Sequence, residues 1–411
     1  MQVIFERCCG LDVHKRTITA CRLRWLGSEW EKEIRQFGTM TKELLGLLDW
    51  LVSEGCTHVA MESTGVYWKP VYNILEGQLE LLVVNAQHLK AVPGRKTDVR
   101  DAEWIAELLA HGLLRGSFVP PPSVRELREL TRYRTSLIRD RARTLNRLQK
   151  VLEAANIKLA NVVSDIDGVS ARQMLEGLVA GQRDAEELAK LAKGRLKEKH
   201  AQLVEALRGR LQPHQSFLIA EHLAQIDYLE GAIGRLSEQI EEKLRPFDEQ
   251  IGWLDTIPGV NRRTAEVLWA ETGGEMSRFA SARHLASWAG MCPGNNESAG
   301  KRRSGRTRKG SPWLRHCLVE AAHGAAHTKN KYLRSQYHRI AAHRGKKKAL
   351  MAVGHSILVI TYHLLTRQQP YRDLGANYFD ERDRQAVTRR CVNRLQKLGY
   401  QISMEKLQMA A

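Results

Sequence analysis

Runs of β-forming residues, broken by short polar turns, pattern the start of the chain. Residues 3–13 and 17–25 are rich in β-formers on either side of a polar turn, His14-Lys15-Arg16, and residues 30–37 end at Gly38. Three successive strands are therefore predicted. The pattern then changes: Leu44, Leu45, Leu48 and Leu51 predict a helix over residues 42–52. A short strand at 57–61, a helix at 66–75 and a strongly apolar strand at 79–85 follow. Trp104, Ile105, Leu108, Leu109 and Leu113 predict a helix over 98–114. The order βββαβαβα describes an α/β fold, a mixed sheet flanked by helices.

Pro120, Pro121 and Pro122 mark a boundary. Beyond it, Leu127, Leu130, Leu137, Leu145, Leu148 and Leu152 predict one long helix over 124–155, studded with arginine. A short insert has helical spacing at 169–179, and a second long helix lies between Pro213 and Pro246. There Ile226, Leu229, Ile233, Leu236 and Ile240 alternate spacings of three and four, the seam of a coiled coil. Such a seam serves either a hairpin within the chain or a self-association arm. Further helices are expected at 263–271, 283–290 and 313–326. The apolar run 349–365 carries Gly354, His355 and His363, so it reads as a buried helix, too short and too polar to span a bilayer. Residues 378–404 read as a peripheral tail. The expected organisation is three domains, 1–118 (α/β), 119–250 (helical, with the coiled-coil seam) and 251–411 (mostly helical).

Charge sharpens this picture. The chain of 411 residues has a formal net charge of +18, and residues 298–350 hold fifteen Lys or Arg against one acid, Glu320. That concentration implies a polyanionic partner, nucleic acid before any other. The seven cysteines show no CxxC spacing and no signal peptide leads them, which predicts reduced thiols and a cytoplasmic chain.

The acids suggest where chemistry sits. Asp12 lies near the end of the first strand in Gly10-Leu-Asp-Val-His14, and Glu62 ends a later strand. Asp98 and Asp101 are three apart, hence on one face of a helix's first turn. Acids at such places are commonly caps or surface groups. Their joint placement differs, because strand-end and helix-start carboxylates in this order can converge on one edge of a sheet. Such hard oxygen donors suit Mg²⁺ or Mn²⁺.

A second candidate lies in residues 294–309, where six of the nine residues from Lys301 to Lys309 are Lys or Arg. The candidate phosphate contacts are Lys301, Arg302, Arg303, Arg306, Arg308 and Lys309, with Arg315 beyond and Lys96 beside the acids. Ser298, Ser304 and Ser311 are chemically alike by sequence, and each also reads as a loop spacer. Leu254-Asp-Thr-Ile-Pro-Gly-Val-Asn261 looks like half of a helix-hairpin-helix, whose turn can present N–H groups to a phosphate. His323 and His327 have zinc-ligand spacing without a third ligand.

The element order and the Asp12…Glu62…Asp98-x-x-Asp101 set resemble the RNase H-like, RuvC-like domain of the DEDD transposases of insertion sequences. Glu62-Ser-Thr-Gly-Val-Tyr67 and Lys96-Thr-Asp-x-x-Asp101 match that family closely, as do Ile257-Pro-Gly, Ala286-x-x-Ala-Gly-x-x-Pro293, Glu297-Ser298 and Lys309-Gly-x-x-x-Leu-Arg315. The resemblance implies that Asp12, Glu62, Asp98 and Asp101 bind metal and that Ser298 is the nucleophile. It implies a DNA transposase or recombinase working through a covalent phosphoserine, guided by a structured non-coding bridge RNA. It further implies donor and target DNA as partners, the coiled-coil seam as a self-association arm, and a dimer-to-tetramer assembly pairing the acids of one subunit with the serine of another. Such a protein acts in the bacterial cytoplasm, on the nucleoid when bound to DNA. Many members carry Gly directly after the serine; here it is Ala299, with Gly300 next. The alternatives are a metal-dependent hydrolytic nuclease or junction resolvase without a serine adduct, and a nucleic-acid-binding scaffold without activity.

Overall fold

The computed structural model describes residues 2–63, 65–85, 101–294, 296–298, 300–307 and 310–404; at 296–298 and 302–304 only the backbone is described. The chain divides into two compact units, Met1–Pro120 and Pro121–Ala411.

In the first unit, β1 (Arg7–Val13), β2 (Thr17–Trp25) and β3 (Trp30–Gly38) form an antiparallel meander. Helix α1 (Thr41–Ser53) leads to β4 (His58–Glu62), then α2 (Trp68–Leu75) leads to β5 (Glu80–Val84). β4 pairs parallel with β1, and β5 with β4, giving the strand order β3-β2-β1-β4-β5. The mixed five-stranded sheet fits the RNase H-like domain that the resemblance implies. Helix α3 (Asp101–Ala110) covers one face.

Strand alternation assigns the two faces. Cys9, Leu11, Val13, Val59, Met61 and Val83 join Leu44, Leu47, Leu51, Val71 and Leu75 of α1 and α2 in one core. Cys8, Ala60 and Val84 meet Ala102, Ile105, Ala106 and Leu109 of α3 on the other. Gly10 lies on the α3 face, where a Cβ would stand 2.3 Å from the Ala102 carbonyl oxygen and 2.4 Å from the Ala106 nitrogen. Its missing side chain lets the first turn of α3 rest directly on β1.

The second unit is built on two long antiparallel helices, α4 (Pro122–Ala154) and α8 (Pro213–Leu244). Between them lie α5 (Val169–Val179), α6 (Ala185–Ala189) and α7 (His200–Leu207). The α8 seam is filled within the chain. Ile240 and Leu244 share a core with Val124 and Leu127, Leu229 and Ile233 with Leu137, and Ile219, Leu223 and Ile226 with Leu148 and Leu152. The hairpin reading therefore describes this chain, since α4 supplies the apolar partner that an arm would seek in another copy. The insert is more than a single helix: Met174, Leu175, Leu188, Leu203 and Leu207 close a core of their own at the hairpin's end.

The arginines of α4 largely hold the fold together. Arg134 donates to Glu266 at 2.6 Å, with side chains 2% and 5% exposed, and Arg132 forks onto the buried Glu271 at 2.6 and 2.9 Å. Both glutamates lie on α10 (Arg262–Thr272), which follows α9 (Asp248–Asp255). Helix α11 (Ala282–Trp288) precedes a hairpin of β6 (Asn296–Ser298) and β7 (Lys301–Ser304). Next come α12 (Pro312–His327), α13 (Tyr332–Arg344), α14 (Lys346–Arg367), α15 (Tyr378–Arg382) and α16 (Arg384–Lys397).

Two of the predicted features can now be placed. In the turn before α10, Gly259 (φ +85°) lies against α12, where a Cβ would meet the Ala321 carbonyl oxygen at 2.2 Å. Asn261 caps α10 by accepting from the Thr264 N–H. The turn thus rests its glycine on a helix lined with small residues. Secondly, α14 has 22 residues and is long and apolar enough to meet the length and composition of a membrane span. It packs as a core helix all the same, with Val353, Ile357 and Leu358 fully buried against α12 neighbours such as Leu318 and Ala322.

Candidate active site: an acid edge and a serine hairpin

Asp12 and Glu62 end neighbouring parallel strands on the α3 face of the sheet, and Asp101 begins α3 itself. The carboxyl ends of parallel strands are where open α/β sheets present ligand sites. The Asp12 side chain is 21% exposed. Its carboxyl is held above the ordinary range, first by burial; the nearby charge of His14 opposes this, while Asp101 and then Glu62 add like-charge repulsion. Asp12 is thus close enough to Asp101 and Glu62 to feel both charges. The fourth, Asp98, lies outside the described residues, as does Lys96.

Among the described residues no group of three or more His, Cys, Asp or Glu is arranged to hold a metal ion by itself. The donor type fits a hard divalent cation, whose charge offsets clustered carboxylates. Asp12 also accepts or shares a hydrogen bond at 3.0 Å with His14 Nε2, a contact not anticipated from the sequence. Its signal was there, since residues two apart on a strand share a face.

Ser298 ends β6 and pairs with Lys301, the first residue of β7, across a two-residue connection. Gly300 carries a left-handed backbone there, φ +72°, which a glycine adopts without strain, while Ala299 lies outside the described residues. What reads as a flexible loop is a hairpin with a fixed base. The Gly294 N–H donates to the Arg306 carbonyl at 2.8 Å, and Pro293 bridges Thr307. Gly310 lies against Ala289, where a Cβ would meet the carbonyl oxygen at 2.2 Å.

Ser311 is no spacer. Its hydroxyl donates to Glu271 Oε2 at 2.8 Å and accepts from the Leu314 N–H at 3.3 Å, capping α12. Glu271 is the carboxylate that Arg132 grips, so the hairpin's exit is tied to α4.

Of the predicted phosphate contacts, Lys301 and Arg306 are exposed, and the backbones of Arg302 and Arg303 lie in β7. Arg308 and Lys309 fall outside the described residues. Arg315 lies on α12 and donates to the Gly290 carbonyl at 2.9 Å, which holds the helix against the loop. The His323–His327 pair is a helix-face contact, His327 Nδ1 lying 2.8 Å from the His323 carbonyl.

Comparison with known proteins adds a separate line of evidence. Residues 9–157 match the family model of DEDD transposases of the IS110 kind, described as a transposase. Residues 252–338 match the one described as "Transposase IS116/IS110/IS902 family". The transposase for insertion sequence element IS1111A of Coxiella burnetii is 25% identical over 377 residues, 88% of this chain and 90% of that one. An uncharacterised 44.8 kDa protein of insertion element IS116 from Streptomyces clavuligerus is 29% identical over 260 residues, 55% of this chain and 63% of that one. Its counterpart in IS110 of Streptomyces coelicolor is 27% identical over 225 residues, 50% and 55% of the two chains. The first family match spans Asp12, Glu62 and Asp101 and the second spans the serine hairpin, so together they take in more than half of the sequence. The chain belongs to the IS116/IS110/IS902 family of DEDD transposases.

Proposed function

We propose that this insertion-sequence transposase cuts and rejoins DNA through a covalent bond to Ser298. The serine Oγ attacks a backbone phosphorus, an Oγ–P bond forms, and the P–O3′ bond breaks. The serine proton ends on the departing oxygen, which leaves as a 3′-hydroxyl. One phosphodiester replaces another, so a 3′-hydroxyl from a different strand can reverse the step and join in exchanged partnership without net hydrolysis.

Asp12, Glu62, Asp98 and Asp101 hold Mg²⁺ or Mn²⁺ in this reading. When bound, such an ion supplies positive charge against the phosphate oxygens. His14 orients the Asp12 carboxylate. Lys301, Arg302, Arg303, Arg306, Arg308 and Lys309 hold the backbone beside the serine, and Lys96 does so beside the acids. The observation that carries the reading is the placement of Ser298 at the end of a strand, next to a two-residue turn, in a hairpin anchored at its base. A nucleophile needs that fixed approach to one phosphate.

Donor and target DNA are the substrates, a structured non-coding RNA selects them, and further copies of the chain complete a dimer-to-tetramer assembly. With the α8 seam filled by α4, contacts between copies fall on other surfaces. End analysis of cleaved DNA tests the reaction class. Strand transfer leaves 5′ ends that carry protein and resist labelling until protease treatment. Free 5′-phosphates from the first turnover would instead indicate hydrolysis by the acids alone. Sequencing RNA that co-purifies with the protein tests the guide, and RNA with no common structure would remove it.

A further inference from the structure

A cavity of about 570 Å³ lies in the second unit, and none of its lining residues belongs to the serine hairpin. Lys329, Lys331 and Arg334, from the turn before α13 and its first turn, form one wall. Phe379 and Asp380 of α15 and Arg390 of α16 form the other. Those helices belong to the segment expected to be a peripheral tail, and they lie beyond both matched segments of the chain.

The cavity's charge is unbalanced. Five Lys or Arg side chains line it against one acid, Asp380, and among the described residues none of the five forms an ion pair. A solvated basic face would spread such charges over a convex surface. Here they line a concavity, which concentrates positive potential and favours an anionic occupant. One aromatic side chain, Phe379, belongs to the lining and serves as its floor: Arg339 lies over its ring at 5.1 Å, and Tyr332, outside the lining, stacks on it at 5.1 Å with 19° between the rings.

Size and floor together select the class of ligand. The volume falls in the range of about 300–1,000 Å³ typical of small-ligand sites, too small for a double helix. Cations over an aromatic floor are the usual means of holding a single strand, with phosphates on the charges and a base on the ring. An acidic peptide would use the charges and leave the stacked floor without a role.

We propose that this cavity docks a single-stranded stretch of nucleic acid, with backbone phosphates on Lys331, Arg334 and Arg390 and a base against the Phe379–Arg339 pair. The proposal deepens the strand-transfer reading and rests on it in taking nucleic acid as the partner.

The test uses the full chain and fluorescein-labelled oligothymidylate and oligouridylate, with affinity measured by anisotropy over a range of salt. The double variant Arg334→Ala/Arg390→Ala is expected to bind roughly tenfold more weakly, with a salt slope shallower by about 0.7 for each phosphate that is no longer neutralised. Weaker binding of either strand supports the site, and the strand that is weakened more is its ligand. Arg334→Lys/Arg390→Lys, which keeps the charge, should restore the slope, and Phe379→Leu should weaken binding with the slope unchanged.

Wild-type affinity and slope in the double alanine variant would overturn the proposal. So would an oligoglutamate that competes as well as oligothymidylate. The Ser298 adduct is assayed in parallel. Its absence from wild type while the slope change persists defeats strand transfer and leaves the cavity, and the converse defeats the cavity alone.

Discussion

Gly10 and Ala102 are in backbone contact: a Cβ on Gly10 would reach within 2.3 Å of the Ala102 carbonyl oxygen. Asp101 directly precedes Ala102, and Asp12 lies two residues beyond Gly10 on the same face of β1. The close approach of strand and helix is therefore what brings two acids from distant parts of the sequence together. Gly10→Ala should push α3 away, cost about 1–3 kcal/mol as overpacking does, and weaken the response to divalent metal. Urea unfolding with and without Mg²⁺ measures both; an unchanged midpoint would show that the contact is dispensable.

Asp12→Asn removes one charge from a repulsive group. In metal-free buffer the variant should melt at or above the wild-type temperature, since it keeps a hydrogen-bonding partner for His14. Added Mg²⁺ or Mn²⁺ should raise the wild-type melting temperature and leave the variant's nearly unmoved. Equal shifts in both proteins would place any bound metal elsewhere.

Two ion pairs on α4 should differ sharply in worth. Arg134 and Glu266 are buried, so Arg134→Ala leaves the Glu266 carboxylate only its longer, 3.5 Å ion pair with Arg262 and should cost about 3–5 kcal/mol. Arg143 and Asp140 are 68% and 45% exposed, so Arg143→Ala should cost about 0–1 kcal/mol. Denaturant midpoints of the two variants decide this, and similar losses would contradict it.

The first unit buries four thiols. Burial pushes Cys8 and Cys21 up to about 12 and Cys56 to about 11, and raises Cys9 as well. The thiolate is the reactive form, so iodoacetamide at mildly alkaline pH should label the exposed Cys391 first and these four only after unfolding. A raised thiol pKa stabilises the fold fully below the unfolded value of 9.0, and that contribution fades as pH rises through the folded values. The unit should therefore lose stability between about pH 9 and 12, by an amount that Cys8→Ser/Cys21→Ser reduces.

Much of this was legible in the sequence. The β1 to β5 order follows from runs rich in β-formers broken by helical spacing, and α5 has the bounds, 169–179, that its spacing predicts. Asp12 and Glu62 could be placed because strand ends are marked by where the apolar run stops. The serine hairpin was not legible, since Arg and Lys in β7 hide any alternation and its base is closed by backbone bonds at Gly294 and Arg306. Ser311 looked like Ser304 because what distinguishes it is Glu271, forty residues earlier. The arginines that stud α4 carry no sign of their roles in the sequence, since the partners of Arg132 and Arg134 on α10 lie over a hundred residues away. Long-range polar pairing of this kind leaves no local pattern to read.

Trapping the protein on cleaved DNA and mapping the modified peptide by mass spectrometry tests the central claim most directly. The account predicts a nucleotide bonded to Ser298 in wild type, retained in Ser304→Ala and Ser311→Ala and absent from Ser298→Ala. An adduct that survives Ser298→Ala, or maps to any other residue, would contradict it.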